Sequence, residues 1–125
     1  MSFIAEIQDV LEQVHSINQD FIILQCTGNY PTAPENINLR ILDTYNDMFD
    51  IIVGFSDHSE GVGASPYAVA KGARLIEKHF TLDKAMDGPD HLASLNPEEL
   101  VQLVKDIRMV ETYLGASEKK PTSTE

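Results

Sequence analysis

The chain has no tryptophan, a single cysteine, and only nine lysines and arginines against 20 aspartates and glutamates. Each scarcity excludes something. One cysteine, Cys26, rules out an intrachain disulfide and fits a reduced, cytoplasmic setting. It ends an apolar run and reads as a small buried residue, not a nucleophile. The net charge of −11 argues against nucleic acid and anionic membrane as partners, and in favour of a solvated acidic surface. No apolar run approaches the length of a membrane span. The opening, Met1-Ser2-Phe3-Ile4-Ala5-Glu6, reads as the start of a helix and not as a targeting segment. Walker-type and dinucleotide-type glycine loops are missing, and so is a nucleophile elbow. What remains is a chain of 125 residues, 42% hydrophobic and 23% charged, suited to one soluble domain.

The pattern along the chain alternates between two periods. Ile4, Ile7, Val10, Leu11, Val14 and Ile17 recur at helical spacing, with Ser2 as the expected N-cap. Phe21 to Leu24 is a continuous apolar strand, the pattern of a parallel sheet buried on both faces. It runs into Gln25-Cys26-Thr27-Gly28-Asn29-Tyr30, then a loop held open by Pro31 and Pro34. A second helical stripe uses Ile37, Ile41, Leu42, Tyr45, Met48 and Phe49, followed by a strand over 51–55. Ser65-Pro66 reads as an N-cap with proline in the first turn of a short helix over 67–72. A third strand is expected over 74–78, then a long loop over 80–95. The last helix carries a capping box, Asn96 with Glu99, and ends at Gly115. Residues 1–115 thus form the folded part and 116–125 a polar tail.

Helix and strand in alternation predict an α/β fold of parallel βα units. Three strands with helices on one side would leave an apolar face wet. Burying one such side chain is worth roughly 1.5–3 kcal/mol. The alternatives are a small open sheet with helices on both faces or part of a larger closed barrel. In a barrel, the inward positions would include Ile22 or Ile23, Val53 and Ile76.

Chemistry-bearing residues gather where strands end. The carboxyl ends of parallel strands are where such folds place their sites. Ser56 and His58 close the second strand, and alternation puts both on one face. Glu77 and His79 close the third in the same way. The two histidines are either a metal-ligand pair or hydrogen-bonded loop histidines. Glu77, pointing into a sheet core, needs a cation, a substrate hydroxyl or a metal-bound ligand as partner. Ser56 is a phosphate donor or a strand-end cap. Asp57 and Lys78 point the other way, as an expected structural ion pair. Asn29 and Tyr30 close the first strand and are placed to meet a substrate. Asp90, in Gly88-Pro89-Asp90-His91, is a sugar-binding or a turn aspartate. His15, on the polar side of the first helix, carries no role.

Four strings in order, Cys26-Thr27-Gly28-Asn29-Tyr30-Pro31, Gly54-Phe55-Ser56-Asp57-His58-Ser59, Ile76-Glu77-Lys78-His79-Phe80-Thr81-Leu82-Asp83 and Gly88-Pro89-Asp90-His91, resemble the sialic acid synthase family across nearly the whole chain. Lys120-Pro121-Thr122 is similar to that family's linker toward a C-terminal domain. The resemblance implies the last three strands of a (β/α)8 barrel. It implies condensation of phosphoenolpyruvate with an N-acetylated mannose-type sugar, giving a nine-carbon 2-keto acid and inorganic phosphate. It further implies a divalent metal, Mn2+ or Mg2+, on His58 and His79. Ser56 would contact phosphoenolpyruvate, Glu77 would lie by the reacting centre, and Tyr30 and Asp90 would contact the sugar. Asn29 stands where relatives carry other residues after Cys-Thr. Family members are more than twice as long and act as dimers that share sites. The family's phosphate-holding lysines and an additional carboxylate belong to earlier strands. Two readings follow. One is a synthase fragment inactive alone and prone to pair as a homodimer. The other is a non-catalytic metal- or sugar-binding half-barrel module.

Overall fold

The computed structural model describes residues 2–122 and 124. Met1 of the expected helix start, and Ser123 and Glu125 of the expected tail, lie outside the described residues. The elements run α1 (Ile4–His15), β1 (Ile22–Cys26), a 3-10 turn (Pro34–Asn36), α2 (Ile41–Met48), β2 (Ile52–Asp57), α3 (Ser65–Ala70), β3 (Ile76–Lys78) and α4 (Pro97–Leu114). The strands form one parallel sheet in the order β1-β2-β3. This is the α/β, partial-barrel architecture that the alternation and the resemblance predict.

Local chemistry explains where the elements depart from expectation. Phe3, not Ser2, is the N-cap of α1, because Glu6 folds back and its carboxylate accepts from Phe3 N–H at 2.6 Å. The second helix starts at Ile41 and not at Ile37. Pro34 begins a separate 3-10 turn, and Asn38 sits at φ 53°, a left-handed conformation that interrupts right-handed winding. Ser65 lies inside α3 instead of capping it, since its hydroxyl is committed to Asp57. β1 extends two residues beyond Leu24, pairing Gln25 with Phe55 and Cys26 with Ser56. The capping box of α4 stands as read. Asn96 Oδ1 accepts from Glu99 N–H and the Glu99 carboxylate accepts from Asn96 N–H, both at 2.9 Å.

The core lies on one side of the sheet. Val53 and Phe55 point down onto Leu42, Tyr45, Ala64, Ala68 and Ala73, with Ile23 and Ile76 packed at the edge. Each of the fully buried side chains, such as Leu42 and Val53, contributes roughly 1.5–3 kcal/mol. The other side of the sheet is open. Ile22 and Ile52, paired in register, remain 42% and 47% exposed. The expectation of burial on both faces is therefore corrected, as is that of inward-facing Val53 and Ile76. Those two residues serve the helix layer, and Ile22 is the one that faces the open side. Gly54 is required by packing on that side. A Cβ there would sit 2.5 Å from Leu24 Cδ2 and 2.6 Å from the Leu75 carbonyl oxygen.

Candidate functional site

Strand alternation decides which side chains meet. In the parallel register Ser56 pairs with Glu77, and Asp57 with Lys78. Successive pairs therefore point to opposite faces. Ser56 and Glu77, with His58 and His79 beyond them, emerge on the open face at the carboxyl ends. Asp57 and Lys78 go down into the helix layer.

On the open face the Ser56 hydroxyl donates to Glu77 Oε1 at 2.6 Å. Ser56 is buried while Glu77 is exposed. The expectation that Glu77 points into a packed core is corrected. It stands at the rim of the open face, with a serine as its partner. His58 and His79 meet edge to face, ring centroids 5.2 Å apart. Tyr30 stacks on His79 at 4.1 Å and touches the His58 ring edge-on at 5.2 Å. The Tyr30-Pro31 peptide is cis, and Thr32 N–H donates to the His58 carbonyl at 2.7 Å. That bond ties the loop after β1 to the end of β2. Asp90 Oδ2 lies 3.9 Å from His79 Nδ1, its side chain half exposed. Tyr30 OH reaches Ser94 Oγ at 3.4 Å. Leu95 clamps the long loop back onto the third strand end. Its N–H donates to the His79 carbonyl at 3.0 Å, and its own carbonyl accepts from Thr81 N–H at 2.8 Å.

The structure thus brings together Ser56, His58, Glu77, His79, Tyr30 and Asp90. Asn29 does not join them. It lines a separate groove beside β1 and α1 with Asn36 and Asn38, and its carbonyl accepts from Thr32 Oγ1 at 2.6 Å. Cys26 is the residue that sequence reasoning undervalued. Its sulfur sits 3.9 Å from His58 Nδ1 and 4.0 Å from Nε2, only partly buried. The strand period carried that signal, because Cys26 and Ser56 are register partners. Ser94 gave no sequence signal, since only the fold of the long loop brings it to Tyr30.

As a metal centre the cluster is a pair of donors, not a full set. Among the described residues no group of three or more His, Cys, Asp or Glu side chains is placed to hold an ion. Two imidazoles on one face fit a divalent ion whose other positions go to water or substrate. Behind the cluster, Lys78 Nζ lies 3.3 Å from Asp57 Oδ1, with side chains only 4% and 0% exposed. Burial lowers the Lys78 pKa from its ordinary value, and the Asp57 carboxylate opposes that shift. No helix among the described residues is long and apolar enough to cross a membrane.

Known proteins resemble this chain in sequence and fold. The NeuB family model matches residues 1–119. The N,N'-diacetyllegionaminic acid synthase of Legionella pneumophila is 48% identical over 111 residues, which is 89% of this chain and 31% of that protein. The human N-acetylneuraminate-9-phosphate synthase is 46% identical over 117 residues, 90% of this chain and 33% of that protein. The crystal structure of the N-acetylneuraminic acid synthetase of Leptospira borgpetersenii, in complex with citrate, superposes with a TM-score of 0.92 at 31% identity, covering 99% of this chain and 44% of that one. The chain spans about a third of the length of the curated relatives it matches. With a family model covering nearly every residue and the fold agreeing, the chain belongs to the NeuB family, the family of the sialic and legionaminic acid synthases.

Proposed function

We propose that this chain contributes one side of a sialic acid synthase active site. The reaction joins phosphoenolpyruvate to an N-acetylated mannose-type sugar. Carbon 3 of phosphoenolpyruvate bonds to the sugar's aldehyde carbon, water adds at carbon 2, and inorganic phosphate leaves. The observation that carries the reading is the convergence of Ser56, Glu77, His58, His79 and Tyr30 at adjacent strand ends, in a chain of the NeuB family.

The roles follow from placement. The Ser56 hydroxyl contacts phosphoenolpyruvate while staying oriented by Glu77. Glu77, exposed at the rim, accepts from a hydroxyl or water at the reacting centre. Tyr30, held by its stack on His79, offers an apolar face to the sugar, and the half-exposed Asp90 accepts from its hydroxyls. His58 and His79 would hold Mn2+ or Mg2+, which when bound polarises the aldehyde oxygen as a Lewis acid. Full activity requires residues beyond this chain. Lys78, the lysine on the third strand, is already engaged with Asp57, and Lys84 in the long loop with Glu99. A phosphate and a carboxylate held together need a cationic cluster.

The test has two arms. The chain alone, given phosphoenolpyruvate and N-acetylmannosamine, is expected to release no phosphate. A chimera carrying residues 1–119 of this chain within the Legionella synthase is expected to release phosphate from phosphoenolpyruvate and that enzyme's own amino sugar, and to lose activity with Glu77→Gln. A folded, inactive chimera would sink the proposal. Turnover by the chain alone would overturn the dependence on outside residues.

A further inference from the structure

The buried Asp57–Lys78 pair stands outside the proposed chemistry, yet it is the register partner next to Ser56–Glu77. Its surroundings are dense. Asp57 Oδ1 accepts from Ser59 N–H at 2.8 Å and from Ser59 Oγ at 2.5 Å, and Oδ2 accepts from Ser65 Oγ at 2.5 Å. Ser59 Oγ in turn accepts from Ala64 N–H at 2.9 Å. Lys78 Nζ also donates to the Ser59 carbonyl. The network spans the end of β2, the loop after it, the start of α3 and the end of β3.

β3 needs such a device. It is only three residues long, and its one apolar residue, Ile76, with Leu75 just before it, does not distinguish one register from the next. A slip of one residue would exchange its faces. Lys78 would move to the open side, and Glu77 and His79 would be driven into the helix layer. A charged pair that is satisfied in one register and unpaired in every other penalises the slip heavily, and fixing register is the best-attested use of a buried polar pair. We propose that Asp57 and Lys78, anchored by Ser59 and Ser65, form a register lock whose purpose is to hold His79 and Glu77 opposite His58 and Ser56. They are positioning residues, and the proposal rests on the functional reading above.

The experiment follows the rings by NMR. The paired variant Asp57→Leu with Lys78→Met removes both charges together, so that neither is left buried and unpaired. It is expected to keep a cooperative melt but to lose the cross-peak between the His58 and His79 rings and to shift both Cε1–H signals. His15, on α1, should not move. Lys78→Arg alone, which keeps a charge beside Asp57, should retain the cross-peak. Mn2+ binding to the paired variant should weaken about tenfold, the usual cost of losing a group that orients a ligand. A folded paired variant with the parent's cross-peak would overturn the lock and leave the pair a stabilising contact only. If that variant does not fold, Ser65→Ala decides, since it loosens Asp57 while keeping both charges; an unchanged cross-peak would then overturn the lock. A parent chain that binds no Mn2+ would count against the functional reading alone, because the ring contacts still report on register.

Discussion

The open face of the sheet sets the strongest expectation for behaviour in solution. Ile22 and Ile52 stand side by side there, 42% and 47% exposed. Full burial of an isoleucine is worth roughly 1.5–3 kcal/mol, so covering these two remnants recovers about 2 kcal/mol per copy. A two-fold pairing counts both copies, about 4 kcal/mol, or roughly three powers of ten in the dissociation constant. The free edges of β1 and β3 add unpaired N–H and C=O groups that favour pairing. The chain is expected to form a homodimer at low micromolar concentration, which takes about 8 kcal/mol in all; the two isoleucines supply about half, and pairing of the strand edges must supply the rest. Ile52→Asp removes about half of the apolar gain and places two carboxylates near the two-fold axis, so it should weaken the dimer roughly 30-fold. The fold should survive, because Ile52 lies outside the core, whereas Val53→Asp should unfold the chain. Sedimentation velocity from about 1 to 100 µM reads the outcome, spanning the range where such interfaces dissociate. A parent chain that stays monomeric throughout, or an Ile52→Asp variant with the parent's dissociation constant, would refute the reasoning.

Three further outcomes are expected. Mn2+ should bind weakly to the parent chain by titration calorimetry and not at all to the His58→Ala, His79→Ala double variant; equal binding by both would remove the histidines from the site. Leu42→Ala, at a fully buried position, should cost about 2–5 kcal/mol in urea denaturation. Acid should loosen the start of α4. The Glu99 carboxyl is held below its ordinary value of 4.5 by hydrogen bonds, first from Lys84 and then from Asn96 N–H. A depressed carboxyl contributes stability above its unfolded pKa and loses it as pH falls through the folded one. Melting temperature should thus decline below about pH 4.5, less steeply in Glu99→Gln, and parallel declines would disprove the assignment.

The element order and the face of each strand-end residue were legible because they depend on local periodicity alone. Ser56 with His58, Glu77 with His79, and Asp57 opposite Lys78 all follow from a period of two. What escaped the sequence depends on contacts across the chain. Ser65 reads as a cap until Asp57, eight residues earlier, claims its hydroxyl. Continuous apolar runs in β1 and β2 signal two covered faces, and that inference assumes a complete set of neighbours. In this sheet the pattern records which faces are apolar, and Ile22 and Ile52 stay partly exposed. Asn29 and Tyr30 are adjacent in sequence, but Tyr30 stacks on His79 while Asn29 lines another groove.

The two faces of β2 and β3 also divide the charge. The helix side holds one lysine neutralised by one aspartate, out of water. The open side presents a carboxylate, a hydroxyl, a thiol, two imidazoles and a phenol. Chain-wide, the net charge is −11. An anionic substrate such as phosphoenolpyruvate gains nothing from that field at long range, so its attraction must be local and cationic. A metal ion on the two histidines would be one such charge, but among the described side chains it would be the only one facing the site, and a doubly or triply charged substrate calls for more. The same reasoning separates the two readings of the chain. A stand-alone sugar-binding module needs hydroxyl acceptors and an aromatic face, which Asp90, Glu77 and Tyr30 already supply. A synthase also needs cations for a phosphate. The chain should therefore bind a neutral N-acetylated sugar, weakly and by itself, while phosphoenolpyruvate binds only after the rest of the barrel supplies positive charge.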